Sequence, residues 1–267
     1  MSPRQACLEC LQRDPPALLE AALWIAAEHD DQLQPAHVLN DLHSLLLQVS
    51  AGLPALPARE LAQPLLRRLA ELDFQEDDEG ITRPRHALIH EVLRHRRGQP
   101  LPLALIALEL AQRLDIPLQG VNFPGHFMLR VPGADHLLDP CGGRRLYTRD
   151  CRDQLYRQLG PAAELSAVHL QTADAHAMLQ RLSRNLRLLH LQQDNPEAAL
   201  KDAERTLQLG QPNLVDHLAR ADVYRALDCP QGERYDLEHA LLFCEEEGLR
   251  LQLSQRLRSL ASVPAMH

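Results

Sequence analysis

The chain has 267 residues, is 45% hydrophobic but only 3% aromatic, and carries a formal net charge of −8. That length holds one large domain or two modest ones with ample core, and its leucine and alanine content favours helices. The acidic balance argues against general nucleic-acid binding, which needs a basic face to displace counterions.

The N-terminal stretch MSPRQACLECLQRD lacks the apolar core of a signal sequence. No apolar run approaches the roughly 20 residues of a membrane span, so a cytoplasmic protein without membrane partners is expected. Residues 1–75 read as helical. Pro15–His29 carries a dense apolar face. Gln34–Val49 follows as a second amphipathic helix with Leu39, Leu42, Leu45 and Leu46. Pro57–Phe74 is expected to form a third, kinked or split at Pro64. Gln75–Gly80 reads as a polar loop. Cys7 and Cys10 form a lone C-x-x-C; without a second ligand pair they read as two thiols one helical turn apart, and no structural metal or cofactor is expected.

Residues 84–97 carry an apolar stripe of Ala87, Leu88, Val92 and Leu93. Glu91 and Arg97 beside it are either buried partners or surface charges. The Arg94, Arg96, Arg97 and Arg144, Arg145 clusters read as solvated or salt-bridged faces. Gly98 suits a turn, and Pro100 and Pro102 suit the start of a helix. From Leu103 to Leu114 that helix is apolar on most sides, which marks a core helix. A hairpin follows: Phe127–Val131, a turn at Pro132–Asp135, and a return through His136–Pro140. Pairing Val131 with His136 sets Leu129 against Leu138. His126, Met128, Asp139 and Cys141 then share one face, with Cys141 opposite His126 and Asp139 diagonal to it.

This order of residues resembles the transglutaminase-like core, a papain-like arrangement in which a cysteine opens a buried helix and a histidine and an aspartate sit on the strands after it. The closer likeness is to the bacterial SirB-one family, a transglutaminase-like domain followed by tetratricopeptide-like helices. The matching residues are Glu91-Val92-Leu93, Arg96, Gly98, Pro100 and Leu103, then Gly120 to Phe127 (GVNFPGHF), then Asp139-Pro140 and Gly142-Gly143. One residue separates the last two pairs where the family pattern has two. The resemblance covers about residues 80–250 and implies that the N-terminal helices belong to the same domain. It gives His126 the histidine position and Asp139 the aspartate position, and puts the nucleophile near Pro100–Leu103. No cysteine, serine or threonine occurs there. Histidine and aspartate without a thiolate have nothing to activate.

From His176 the pattern becomes paired helices. Pro196 and Pro230, Asp202 and Asp236, and Leu207 and Leu241 recur at the spacing of tetratricopeptide repeats. The pairs read as Ala177–Gln192 with Pro196–Leu209, then Val215–Leu227 with Gly232–Glu246, capped by Leu249–Leu260. The fold class expected is α+β, mostly helical: a transglutaminase-like core at 1–172 and a tetratricopeptide-like helical domain at 173–267. Function is expected to be non-catalytic binding of a protein or peptide, through the repeats or through a degenerate groove at Asn122, Phe123, His126, Asp139, Glu91 and Arg97. Two alternatives stand beside it. One is a Cys–His–Asp hydrolase or acyl transferase with Cys141 as a displaced nucleophile. The other is a purely structural scaffold.

Overall fold

A computed structural model describes residues 1–77 and 83–261, so the expected polar loop at 75–80 lies partly outside the described residues. Helices dominate and one small antiparallel sheet accompanies them, which is the mostly helical α+β class that the sequence predicts. No helix among the described residues is long and apolar enough to cross a membrane. The chain divides into two compact units, Met1–Leu182 and Ser183 onward.

In the first unit α1 (Pro3–Leu11) opens with a capping box: the Ser2 hydroxyl accepts from the Gln5 N–H while the Gln5 side chain accepts from the Ser2 N–H. It buries Cys7 and Cys10 as free thiols and packs on α2 (Leu18–Ala27), which is buried on most sides. After α3 (Pro35–Ser50) the single helix expected over 57–74 is instead a short 3-10 turn at Ala58–Glu60 and α4 (Ala62–Glu71). The break falls before Pro64. That proline lies in the first turn of α4, where its missing N–H leaves no intrahelical bond unmade.

A second 3-10 turn, Pro84–His86, leads into α5 (Ile89–His95). Arg96 closes α5 at φ 58°, in the left-handed region, with its N–H on the Val92 carbonyl. The turn freedom assigned to Gly98 therefore belongs to Arg96. Gly98 answers to space: a Cβ there would lie 2.8 Å from both γ-carbons of Val92 and 3.3 Å from the His86 carbonyl. Gly98→Ala should cost about 1–3 kcal/mol through overpacking, read as a lower midpoint in urea unfolding. An unchanged midpoint would show that Val92 moves aside freely.

The core helix α6 (Pro100–Arg113) buries Leu101 through Ala107 without a break, and Leu110 and Ala111 after them. It packs against α2, α4, α5 and the sheet. The sheet is a four-stranded meander rather than a lone hairpin: β1 (Gln119–Val121), β2 (Met128–Arg130), β3 (Leu137–Leu138) and β4 (Arg145–Leu146), in that order. Leu129 faces Leu138, the register that the sequence pairing predicts. Strands of two or three residues carry too little alternation to be read from sequence, which is why β1 and β4 escaped it. Then α7 (Thr148–Leu159) lays Cys151 and Leu155 on the sheet beside Val121, Phe123, Met128, Leu137 and Leu146.

Helix α8 (Ala175–Gln192) begins in the first unit and ends in the second. The second unit continues as α9 (Pro196–Leu209), α10 (Leu214–Ala226), α11 (Pro230–Leu242) and α12 (Glu247–Ala261), each packed on the next. The 34-residue interval from Pro196 to Pro230 joins two helix starts. The repeated aspartates Asp202 and Asp236 are both fully buried, and each accepts from a histidine, His190 at 2.7 Å and His217 at 2.8 Å.

Candidate functional site

His126 is set in place by a turn. Phe123, Pro124, Gly125 and His126 form a four-residue turn closed by the His126 N–H on the Phe123 carbonyl at 3.3 Å. Proline at its second position and a glycine of φ 74° at its third are the chemistry of a type II turn. A Cβ at Gly125 would also meet the tip of the Gln158 side chain at 2.4 Å, which would have to move aside. The turn leaves His126 just ahead of β2 with 20% of its side chain exposed.

Asp139 stands where the ladder ends. Its N–H donates to the Arg144 carbonyl at 2.9 Å, and its own carbonyl accepts from the Gly143 N–H at 3.0 Å. The loop between is tied to α4 by Gln63, whose amide donates to the Gly143 carbonyl at 2.9 Å. Asp139 Oδ1 accepts from the Cys141 N–H at 2.9 Å and lies 3.6 Å from His126 Nε2. The two predicted site residues thus meet at ion-pair distance, slightly beyond a direct hydrogen bond, and Nε2 is buried with no hydrogen-bond partner among the described residues. Burial opposes the Asp139 charge, but His126, the Cys141 N–H and Arg144 outweigh it and hold its pKa below the ordinary carboxylate value. A carboxylate lowered in this way adds stability above about pH 4, and that contribution is lost as pH falls through the folded-state value.

Both residues open onto a cavity of about 300 Å³, lined also by Met128, Leu146, Arg144, Asp150, Gln154 and Arg157. The last three come from α7, a helix whose function the sequence did not suggest. Its polar face, Asp150, Asp153, Gln154 and Arg157, was the available signal. Arg144 bridges to Asp150 at 3.2 Å across the mouth.

No nucleophile accompanies the pair in the segment where one is expected. Gln99 to Leu103 carries neither thiol nor hydroxyl, and Leu101, Pro102 and Leu103 are buried in the first turn of α6. Cys141 is not on a strand opposite His126, because β3 ends at Leu138 and the chain turns away. Burial pushes its thiol pKa far up, and the carboxylates of Asp139 and Glu76 push it further. Such a thiol stays protonated and is a poor nucleophile.

The remaining groove residues are not brought to this cavity. Phe123 is fully buried in the sheet core with its ring edge toward His169. Asn122 is exposed and accepts from Arg181. Glu91 and Arg97 line a different, polar cavity with Asp77, Arg85, His86 and His95. There Glu91 lies 3.3 Å from His95, and Arg97 holds the Asp73 carboxylate at 3.0 Å. Of the two readings left open, Arg97 takes the surface one, since its pair with Asp73 is exposed, while Glu91 is partly buried between His90 and His95.

A family model described as the transglutaminase-like superfamily matches residues 36–184, more than half of the chain. A UPF0162 protein of Pseudomonas aeruginosa is 59% identical over 262 residues, 98% of this chain and 97% of that one. Protein SirB1 of Salmonella typhimurium is 28% identical over 222 residues, 78% of this chain and 82% of its own. The chain belongs to the transglutaminase-like superfamily, in the SirB-one family. A UPF0162 protein of Xylella fastidiosa is 37% identical over 165 residues, 59% of this chain and 58% of that one. The matched span reaches residue 184, beside the end of the first unit at Leu182, and contains every residue that lines the His126 cavity.

Proposed function

We propose that the His126–Asp139 cavity is a degenerate transglutaminase-like site that holds a protein or peptide segment without cleaving or acylating it. One observation carries this reading: the pair stands ready in its cavity, while the segment from Gln99 to Leu103 offers no thiol or hydroxyl. The cavity wall alternates donors and acceptors, with Arg144 and Arg157 beside Asp150 and Asp153. That pattern suits the N–H and C=O groups of a polypeptide better than an apolar ligand. The helices from α8 onward, with their 34-residue interval, are read as a tetratricopeptide-like unit serving the same binding role.

The test pairs binding with chemistry. Peptides selected from a random displayed library against the full chain should weaken by about tenfold or more on His126→Ala, the effect of losing one well-placed polar contact. No amide hydrolysis or transamidation should be measurable. Iodoacetamide should modify Cys141 slowly at neutral pH. Fast alkylation of Cys141 that is lost in His126→Ala, together with turnover lost in Cys141→Ser, would replace this reading with the hydrolase or acyl-transferase one. Peptide binding indifferent to both His126 and Asp139 would remove the site altogether.

A further inference from the structure

A cavity larger than the one at His126 is present elsewhere in the first unit. It lies between α3, α5 and the segment leading into α3, and encloses about 460 Å³, within the range of small-molecule sites. Its floor is apolar: Leu42, Leu45 and Phe74 are buried there, and Leu33, Val38 and Leu93 are half-buried at its sides.

Most charges around the cavity are already engaged. Arg96 donates to the Leu72 carbonyl at 2.7 Å and stacks 5.6 Å over the Phe74 ring. Glu91 sits 3.5 Å from His90 and 3.3 Å from His95. Asp30 lies 3.7 Å from His90 Nε2. Two exposed charges are left: Asp41 from α3 and Arg94 from α5, neither in an ion pair among the described residues. A cavity with an apolar floor, a spare carboxylate on one wall and a spare guanidinium on another matches a zwitterion with an apolar body. A fatty acid would leave Asp41 unmatched, and an amphipathic amine would leave Arg94 unmatched.

The length of the cavity narrows the class. From Asp41 to Gln48 helix α3 runs along the cavity, a rise of about 10 Å. An extended chain covers about 3.3 Å per residue, so three or four residues span it. Ser44 and Gln48, exposed on the same wall, can bond the backbone of such a chain. We infer that this cavity is a second ligand site, which takes a free peptide of three or four apolar residues, its ammonium end at Asp41 and its carboxylate end at Arg94. The site stands apart from the His126 cavity, with which it shares no lining residue.

Trileucine titrated into the full chain, followed by calorimetry and amide chemical shifts, tests this. Saturable binding is expected, with shifts confined to α3, α5 and the approach to α3. N-acetylation and C-terminal amidation of the peptide should each weaken it about tenfold, the loss of one charge-assisted contact. Asp41→Asn should abolish the penalty of acetylation and Arg94→Gln that of amidation; both side chains are exposed, so circular dichroism should be unchanged. His126→Ala should leave trileucine binding intact, which separates this site from the one proposed above. Absence of saturable binding, equal affinity for the doubly blocked peptide, or loss of binding in His126→Ala would each overturn the inference.

Discussion

Leu105→Ala should be among the most damaging single substitutions in the first unit, at about 2–5 kcal/mol. Leu105 is fully buried in the middle of α6, with Ala104, Ile106 and Ala107 around it equally inaccessible. Removing its isobutyl group loses apolar transfer energy and leaves a void, because α6 is held by α2, α4, α5 and β2 at once and cannot collapse into the space. In thermal unfolding of the full chain the transition of this unit should fall by about 5–15 °C. Two companions sharpen the test. Leu105→Met conserves volume and should cost under about 1.5 kcal/mol. Leu108→Ala, at a half-buried position of the same helix, should cost less than Leu105→Ala. A loss below about 1 kcal/mol for Leu105→Ala would mean that α6 is not the clamped centre its packing indicates.

That helix was legible from sequence for the same reason that it is sensitive. An apolar surface all the way round can be satisfied only at the centre of a unit. The Leu129–Leu138 register was legible too, because the PGAD turn fixes which residues face each other. What sequence could not show is where the ladder stops. Alternation carried past Leu138 puts Cys141 opposite His126, yet the Asp139 side chain caps the Cys141 N–H and turns the chain off the sheet. Short polar residues at strand ends compete for backbone groups in this way, and hydropathy does not record it. The polar wall supplied by α7 was hidden for a related reason. A helix with an ordinary solvated face looks the same in sequence whether that face meets water or a cavity. Glu91 and Arg97 show the reverse error: nearness to the matched motif put them in the groove, and the structure puts them in a separate polar cavity.

In the second unit Asp236→Ala should cost about 3–5 kcal/mol, far beyond the median for a carboxylate in an exposed pair. Asp236 is fully buried on α11 and accepts three hydrogen bonds from α10: His217 Nδ1 at 2.8 Å, Arg220 Nε at 2.8 Å and Arg220 Nη2 at 2.9 Å. Burial works against the Arg220 charge, yet Asp236 outweighs it and raises the Arg220 pKa above its ordinary value. Taking the carboxylate away leaves that guanidinium and a nearly buried imidazole without their partner in a low-dielectric interior. The sequence displayed Asp236 only as a repeat position matched to Asp202, and an aspartate on a helix reads first as a surface charge. Its value here is as the pin between two helices, so the α10–α11 pair should loosen first. Urea unfolding of Asp236→Ala should show an early transition, with hydrogen exchange quickened in α10 and α11 while α6 keeps its protection. Asp236→Leu combined with Arg220→Leu removes both charges and should recover part of the loss, since the penalty comes from the charge left behind more than from the pair that was broken. If Asp236→Ala loses less than about 1 kcal/mol, or the double substitution is worse than the sum of its parts, the buried pair is not what joins α10 to α11.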